Sequence, residues 1–448
     1  MALSGIEIFK LLPKTNCGDC GVPTCLAFAM SIAAGKAELD KCPHLSDEAR
    51  TRLEEASAPP IRPVSIGAGE RLVKTGGETV MFRHEKRFEN PAPIAFITSD
   101  SLDEKQMNRQ FNLFNTLRYE RAGNSLKAEM LVIRYDSANQ EKYVSAVEQA
   151  LADTDASLIL MCDEPAVLEK ALLVSASTRP LIYGADSENI ESMLELARKF
   201  DCPLVVKGKN VENLIALSEQ ITATGFKNLV LDSGARTLKQ SFTDQIAIRR
   251  AALNSKFRPL GFPTIVFPCE MTDDPLKETL YASILIAKYA GIVVMSDIQA
   301  EALFPLLVER LNIFTDPQRP LATKEGIYEI GGPDENSPVL LTSNFSLTYF
   351  LLTGEIESSR VPAYLLVKDT EGLSIMTAWA AGKFSADNIC EFIKKCGIEE
   401  KINHRKLIIP GYVDFESSGI EEELEGWEVL IGPREGAHLP AYLKNWGK

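Results

Sequence analysis

The chain has 448 residues, 45% of them hydrophobic and 25% charged, an ordinary globular composition with room for two or three domains. Its net charge is −14 and no basic patch with interleaved aromatics stands out, which argues against nucleic acid as a partner. No apolar run approaches the ~20 residues that span a bilayer. Met1-Ala2-Leu3-Ser4 has neither the basic nor the apolar region of a secretory leader, so a reducing cytoplasm is the expected compartment.

At the N-terminus, Ser4-Gly5-Ile6-Glu7 reads as a capping box, and Ile8, Phe9 and Leu12 continue an apolar face until Pro13 stops the helix. Four cysteines follow in C-x2-C-x4-C-x16-C spacing: Cys17, Cys20 and Cys25, then Cys42 before Pro43. Structural zinc sites usually use two separated C-x2-4-C pairs. Here three thiols are bunched and one is alone, which favours a [4Fe–4S] cube with one thiolate per iron. Disulfides need an oxidising compartment that nothing here suggests. Gly18 and Gly21 let the loop bend around a bulky inorganic core. A second helix is expected over Leu26–Ala34, ended by Gly35. Residues 1–57 thus read as a cluster domain whose core the cluster would supply. Cys162, Cys202, Cys269, Cys390 and Cys396 are dispersed and read as free thiols.

Ala56-Ser57-Ala58-Pro59-Pro60 is a linker by composition, and Ile61 to Phe82 reads as a hairpin turning at Gly76-Gly77, giving a linker-and-hairpin segment over 58–92. From residue 93 the pattern changes. Eight short apolar runs recur, beginning at Pro93, Met130, Ser157, Pro180, Pro203, Asn228, Pro263 and Gly291, each followed by an amphipathic helical stretch such as Ile190–Phe200, Val211–Thr222 or Ala235–Leu253. Continuous apolar strands alternating with helices mean a parallel sheet covered on both faces. Eight such units over 93–315 match a closed (β/α)8 TIM barrel better than the alternative, a doubly wound open sheet. The strand-end residues Asp232, Glu270 and Asp297 are available for a barrel-mouth site.

Asp316–Pro320 reads as a second linker. Residues 325–448 then read as a Rossmann-like open sheet with strands at Val339–Leu341, Ala363–Val367, Lys406–Ile409 and Glu428–Ile431 and a helix at Ala386–Lys395. The loops beyond those strands are polar and Gly-rich: Thr342-Ser343-Asn344-Phe345-Ser346, Asp369-Thr370-Glu371-Gly372 leading into a helical run from Ser374, Pro410-Gly411-Tyr412, and Gly432-Pro433-Arg434-Glu435-Gly436-Ala437. They converge on the edge where open α/β sheets bind ligands. On pattern alone, a bound cofactor and a bare partner surface both remain open.

The cysteine run with Leu26-Ala27-Phe28-Ala29-Met30, the barrel, Asn344-Phe345-Ser346-Leu347-Thr348-Tyr349 and Gly432-Pro433-Arg434-Glu435 together resemble the large (gamma) subunit family of the corrinoid iron–sulfur proteins of the acetyl-CoA decarbonylase/synthase system. The resemblance spans essentially the whole chain. It implies a C-terminal corrinoid (cobalamin) domain and a heterodimer with a small (delta) subunit. A methyltetrahydrofolate:corrinoid methyltransferase would deliver a methyl group to Co(I), and acetyl-CoA synthase/CO dehydrogenase would receive it. The cluster would restore Co(II) to Co(I), fed by a low-potential donor and assisted by a reactivating ATPase. The implied corrinoid contacts are Thr342, Ser343, Asn344, Ser346 and Tyr349 from the first loop; Thr370, Gly372, Leu373, Ser374, Met376 and Thr377 from the second; Gly411; and Gly432, Glu435, Gly436 and Ala437 from the last. None of the four histidines (His44, His84, His404, His438) stands in a D-x-H-x-x-G context, so the cobalt is expected to be base-off and free of a histidine from this chain. The resemblance instead caps its lower face with Ser374–Ala381, with Thr377 nearest. The barrel then reads as an interaction scaffold. The alternatives are an electron-transfer or scaffold subunit without its own corrinoid, and a methyltransferase whose own barrel binds the pterin donor.

Overall fold

A computed structural model describes residues 5–33, 37, 39–46, 49–50, 53, 58–121, 123–316 and 321–446. The expected cap at Ser4, the helix stop at Gly35 and linker residues 56–57 and 317–320 lie outside the described residues. At the head, α1 (Gly5–Leu11) and α2 (Cys25–Ala33) bury Ile8, Leu12, Phe28 and Ala29 against Cys25, Cys42, Leu45 and Leu53. β1 (Val64–Ile66) and β2 (Val73–Thr75) then pair antiparallel.

The barrel begins with β3 (Ile94–Ser99) and α3 (Glu104–Thr116), followed by a small hairpin of β4 (Tyr119–Arg121) and β5 (Asn124–Leu126). The repeating units continue with β6 (Met130–Arg134), α4 (Gln140–Asp153), β7 (Ser157–Met161), α5 (Pro165–Ser175), β8 (Leu181–Ala185) and α6 (Ile190–Lys199). They finish with β9 (Leu204–Lys207), α7 (Val211–Ala223), β10 (Leu229–Asp232), α8 (Leu238–Leu253), β11 (Ile265–Val266), α9 (Pro275–Ala287), β12 (Ile292–Met295) and α10 (Ala300–Phe314). The eight barrel strands pair in parallel, and a parallel bridge between Leu231 and Thr264 closes the cylinder. Side-chain oxygens of Asp103, Asn139, Asn210, Thr237 and Asp274 accept first-turn N–H groups and start five of the helices.

Strand alternation divides the apolar residues. Ala95, Ile97, Val132, Ile159, Val205, Val230 and Val294 fill the barrel, while Ile94, Phe96, Leu131, Leu158 and Leu231 pack under the helices. Val64 and Ile66 join the interior set. The hairpin therefore closes the barrel's amino end. Arg71 Nη2 donates to the carbonyls of Leu151 and Thr154 at 2.8 and 2.7 Å, and Thr75 Oγ1 donates to the Gly291 carbonyl at 2.8 Å. The chain reverses over 67–72, not at Gly76-Gly77 as the sequence suggests. Gly67 and Gly69 in that reversal have positive φ, as do Gly76 and Gly77, but the latter pair ends the second strand, where the Gly77 N–H bonds the Ile61 carbonyl at 3.0 Å.

The C-terminal sheet runs β13 (Gly326–Ile330), β15 (Ala363–Lys368), β14 (Val339–Ser343), β16 (Lys406–Ile409), β17 (Glu428–Ile431), with only β13 antiparallel. Among them lie α11 (Ser346–Ser359), α12 (Ile375–Ala380), α13 (Ala386–Cys396), α14 (Ser417–Glu423) and α15 (Leu439–Leu443). Val339, Leu341, Leu407 and Ile409 face one buried cluster, and Leu340, Leu365 and Ile408 face another, so both sheet faces are covered. The chain steps from β14 out to β15 and then returns past β14 to β16. The carboxyl ends of β14 and β16 therefore form the switch point at which such sheets open a crevice. Among the described residues no helix is long and apolar enough to cross a membrane.

Candidate cofactor sites

The cysteine loop is shaped by backbone geometry. Gly18 and Gly21 lie at φ +81° and +80°, and the Gly21 N–H closes a turn on the Gly18 carbonyl at 2.9 Å. No atom lies within 4 Å of where a Cβ would stand at either glycine, so the conformation, not crowding, calls for glycine. Asn16 Oδ1 accepts the Cys25 N–H at 2.8 Å and fixes the loop to the start of α2. Cys25 and Cys42 are buried, Cys20 packs beside them, and Cys17 is exposed. Ligating atoms of Cys17, Asp19 and His44 lie within 4.8 Å of one another, which brings Cys17 to the segment just past Cys42. His44 Nε2 and Asp19 Oδ2 are 2.7 Å apart, and hydrogen bonds from His44 and then Cys17 hold the Asp19 carboxyl below its usual range. All four thiols are free, and soft thiolates at a glycine-bent loop suit iron or zinc.

At the tail, the crevice beyond β14 and β16 is a cleft of about 110 Å³. Leu340, Leu341, Ile408 and Ile409 form its floor, Thr348, Leu351 and Leu352 one wall, Ile375 a second, and Tyr412, Gly432, Pro433, Arg434 and Gly436 the far side. Glycine is required by contact at Gly411, where a Cβ would stand 2.4 Å from the Gly432 carbonyl oxygen, whereas one on Gly436 would meet only the movable end of Leu351. Exposed Leu351 and Tyr412 line the cleft, and exposed Leu347, Met376, Trp379 and Ile431 lie on the elements that flank it.

Of the residues expected at this site, Gly432 and Gly436 line the cleft. Thr342 and Ser343 are buried at the end of β14, and both hydroxyl oxygens lack a partner in the protein. Asn344 and Thr370 are buried and bonded to each other, and Leu373 and Gly372 close the same loop. Ser374 and Thr377 are 3.1 Å apart through their hydroxyls at the start of α12, where Thr377 and Met376 are exposed. Glu435 accepts from Tyr412 OH at 2.9 Å, and Ala437 is exposed beside it. Ser346 donates to the Leu321 carbonyl. Tyr349 packs edge-on against Tyr328 at 4.9 Å, and burial pushes its hydroxyl up to about 12. Thr348, Leu351 and Leu352 are cleft residues that sequence reasoning misses. Their i, i+3, i+4 spacing on α11 is the available signal.

The family model for the CO dehydrogenase/acetyl-CoA synthase delta subunit matches residues 63–443, and an Fe-S cluster model matches residues 12–44. The corrinoid/iron-sulfur protein large subunit of Moorella thermoacetica is 45% identical, covering 99% of both chains. The chain belongs to the corrinoid/iron–sulfur protein large-subunit family. A second member, the acetyl-CoA decarbonylase/synthase complex subunit gamma of Methanopyrus kandleri, is 38% identical over 99% of this chain and 98% of its own. The delta-subunit model stops short of the cysteine loop, whereas these large and gamma subunits align from end to end. Among solved structures, a dihydropteroate synthase from Thermus thermophilus is similar over 54% of this chain and 97% of its own, at 16% identity and a TM-score of 0.38.

This family member also has a cavity of about 430 Å³ at the carboxyl end of its barrel, lined by Arg134, Asp136, Asp163, Lys207, Arg236 and Glu270 among others. Its floor is a closed network. Asp232 Oδ2 accepts from Tyr183 OH at 2.7 Å and Arg236 Nη2 at 2.8 Å, while Oδ1 accepts from the Gly234 N–H at 2.8 Å and Arg236 Nη1 at 3.1 Å. Arg236 also bonds Glu270, the Ala235 carbonyl and Tyr183 OH. Burial alone would lower the Arg236 pKa, but its bonds to Asp232 raise it, so the guanidinium stays charged. Asp297 is exposed near the same end. With its lone pairs and donors engaged, the Asp232–Arg236 pair is a strut across the barrel floor.

Proposed function

We propose that the chain is the methyl-carrying, self-reducing large subunit of a heterodimer in the reductive acetyl-CoA pathway, with a [4Fe–4S] cluster on Cys17, Cys20, Cys25 and Cys42 and a base-off corrinoid at the C-terminal sheet edge. Bound there, the corrinoid would supply a Co(I) nucleophile that takes and gives up a methyl group, and the cluster would supply the low-potential electron that regenerates it. One observation carries the reading: a thiolate-rich loop at the head and an apolar-rimmed switch-point cleft at the tail belong to one polypeptide.

The residues suit both groups. The orphaned hydroxyls of Thr342 and Ser343 are buried polar atoms awaiting acceptors or donors, as a macrocycle fringed with amides would provide. The rim of Leu347, Met376, Trp379 and Tyr412 offers apolar surface to its face. Gly411 and Gly432 allow the backbone of two loops to approach closely. α12 presents Thr377 and no imidazole, which supports a lower face without a histidine ligand.

The partners that follow from this reading are a small subunit, a methyltetrahydrofolate-dependent methyltransferase and acetyl-CoA synthase. Anaerobic copurification with the small subunit tests it, through iron and cobalt content per heterodimer and spectra taken before and after reduction. The expected result is about four irons, one per thiolate, and about one cobalt per heterodimer. Methylation by methyltetrahydrofolate is expected only when the methyltransferase is added. Iron without cobalt would leave an electron-transfer subunit instead. Methylation without the added enzyme would make the barrel of this chain the pterin site.

A further inference from the structure

Asn344 follows the last residue of β14 and is 3% exposed. Its carboxamide makes four hydrogen bonds inside the protein. Oδ1 accepts the N–H groups of Thr370 and Gly372 at 3.0 and 2.9 Å and lies 2.8 Å from the Thr370 hydroxyl. Nδ2 donates to Asp369 Oδ1 at 2.8 Å, and the Asn344 carbonyl accepts the Thr323 N–H at 2.8 Å. The loop it holds has bonds of its own, from Glu371 N–H to Asp369 Oδ1 at 2.9 Å and from the Thr370 hydroxyl to the Leu373 carbonyl at 2.9 Å, but it also carries strain. Glu371 and Gly372 both lie at positive φ, +57° and +75°, a conformation that is unfavourable for the glutamate and needs external bonds to persist. That loop leads directly into α12, six residues long and too short to be stable alone. The far end of α12 is tied by Trp379 Nε1, which donates to Glu416 Oε1 at 2.8 Å.

We infer that Asn344 is a positioning residue: it fixes the Asp369–Ser374 loop and through it sets where α12 stands over the sheet edge, without itself meeting the cofactor. The inference rests on the corrinoid reading of that edge and replaces the sequence-based expectation that Asn344 is a contact.

The test uses the full chain with its small subunit and two variants. In Asn344→Ala all four side-chain bonds vanish. In Asn344→Asp the acceptor oxygen remains, but a carboxylate replaces the amide donor and faces Asp369. Beyond Asp369 lie the Lys368–Glu325 and Lys383–Glu371 pairs. Like charge and burial raise the pKa of the new carboxyl, and protonation restores a donor toward Asp369. Without corrinoid, Asn344→Ala is expected to speed amide exchange over 369–381 at least ~10-fold, a loss of about 1.4 kcal/mol of local protection, with β14 and β16 unchanged. With corrinoid, the Asn344→Asp visible spectrum and Co(II)/Co(I) midpoint potential should depart from wild type at alkaline pH and converge on it as pH falls, while Asn344→Ala stays displaced at every pH. Wild-type exchange in Asn344→Ala, or a loosened loop with spectrum and potential unmoved, overturns the inference alone. A wild-type heterodimer devoid of cobalt overturns the corrinoid reading and the role of α12 with it. Should Asn344→Ala unfold the sheet, the pH-dependent recovery of Asn344→Asp decides the matter.

Discussion

Asp232 is 1% exposed and carries four hydrogen bonds, so its removal takes one of two carboxylate partners from the half-buried Arg236 guanidinium and an acceptor from the Tyr183 hydroxyl. Removing Asp232 deletes all four hydrogen bonds to its buried carboxylate, whereas Tyr183→Phe deletes one of them, worth roughly 1.5–3 kcal/mol because the acceptor is charged. Asp232→Ala should therefore lower the urea midpoint more than Tyr183→Phe, and neither should change cobalt content if the barrel is a scaffold. Equal midpoints for the two variants would show that the pair is not the strut described. Thiols follow the same logic of burial. Desolvation pushes Cys162 and Cys390 up to about 11, and Cys202 and Cys269 up to about 12. At pH 8 they stay protonated and slow to alkylate. Iodoacetamide should label exposed Cys17 first and half-buried Cys20 next in cluster-free protein, and this labelling should be lost once iron and sulfide are restored. Fast labelling at Cys162 or Cys202 would contradict this. At this scale the sequence shows which residues are reactive in type, but not which are already committed. The bonds Asn344 makes are not visible locally because its partners lie 25 to 28 residues further on.

Elements are more legible than residues. Ile94-Ala95-Phe96-Ile97 and Leu229-Val230-Leu231 are apolar at every position because a parallel strand is buried on both faces, so all eight barrel strands announce themselves. β13 does not, because Gly326–Ile330 is an antiparallel edge strand with half-exposed residues and no continuous apolar run. The hairpin under the barrel is visible as a hairpin. Its true turn is not, because the packing of Val64 and Ile66 into the barrel selects between two glycine pairs of equal freedom. The cleft can be located from the loops, yet its fit depends on contacts that only the sheet creates. Gly411 and Gly354 make the contrast testable. A Cβ on Gly411 would overlap the Gly432 carbonyl and crowd Arg434, while Gly354 in α11 has nothing within 4 Å. Gly411→Ala should cost about 1–3 kcal/mol through overpacking and reduce cobalt retention, measured per chain after gel filtration. Gly354→Ala should be neutral or stabilising by up to about 1 kcal/mol, since alanine is the better helix former. Full cobalt retention in Gly411→Ala would argue that the two loops do not shape the site.

At the scale of the molecule, head and tail attach to the same end of the barrel. Arg258, in the connection that precedes β11, donates to the Pro59 and Ala58 carbonyls at 3.1 and 3.4 Å, and the Arg62 N–H bonds the Gly261 carbonyl at 2.9 Å. The chain from the cysteine domain therefore enters at the amino end. β4 and β5, which precede β6, lie at that end too. There Arg121 stands 4.7 Å from the Phe350 ring of α11, and Gly123 packs against Lys324 and Tyr328. The barrel's carboxyl mouth is left pointing away from both. On the proposed function the barrel would be a common base for an electron donor and its acceptor, and the length of chain joining head to barrel would set how often they meet. For a flexible Gly-Ser insert, effective concentration falls roughly as the −3/2 power of length. Doubling it with Gly-Ser residues inserted before Ala58 should slow reduction of Co(II) by the cluster about 3-fold, read by stopped-flow at fixed donor concentration. Methyl transfer from protein reduced beforehand should keep its rate, because that step does not involve the head. Supplying the head as a separate chain at micromolar concentration should slow reduction much further, from the roughly millimolar local concentration a short tether gives. A reduction rate indifferent to both changes would mean that electrons reach the cobalt by a route that bypasses the cysteine domain.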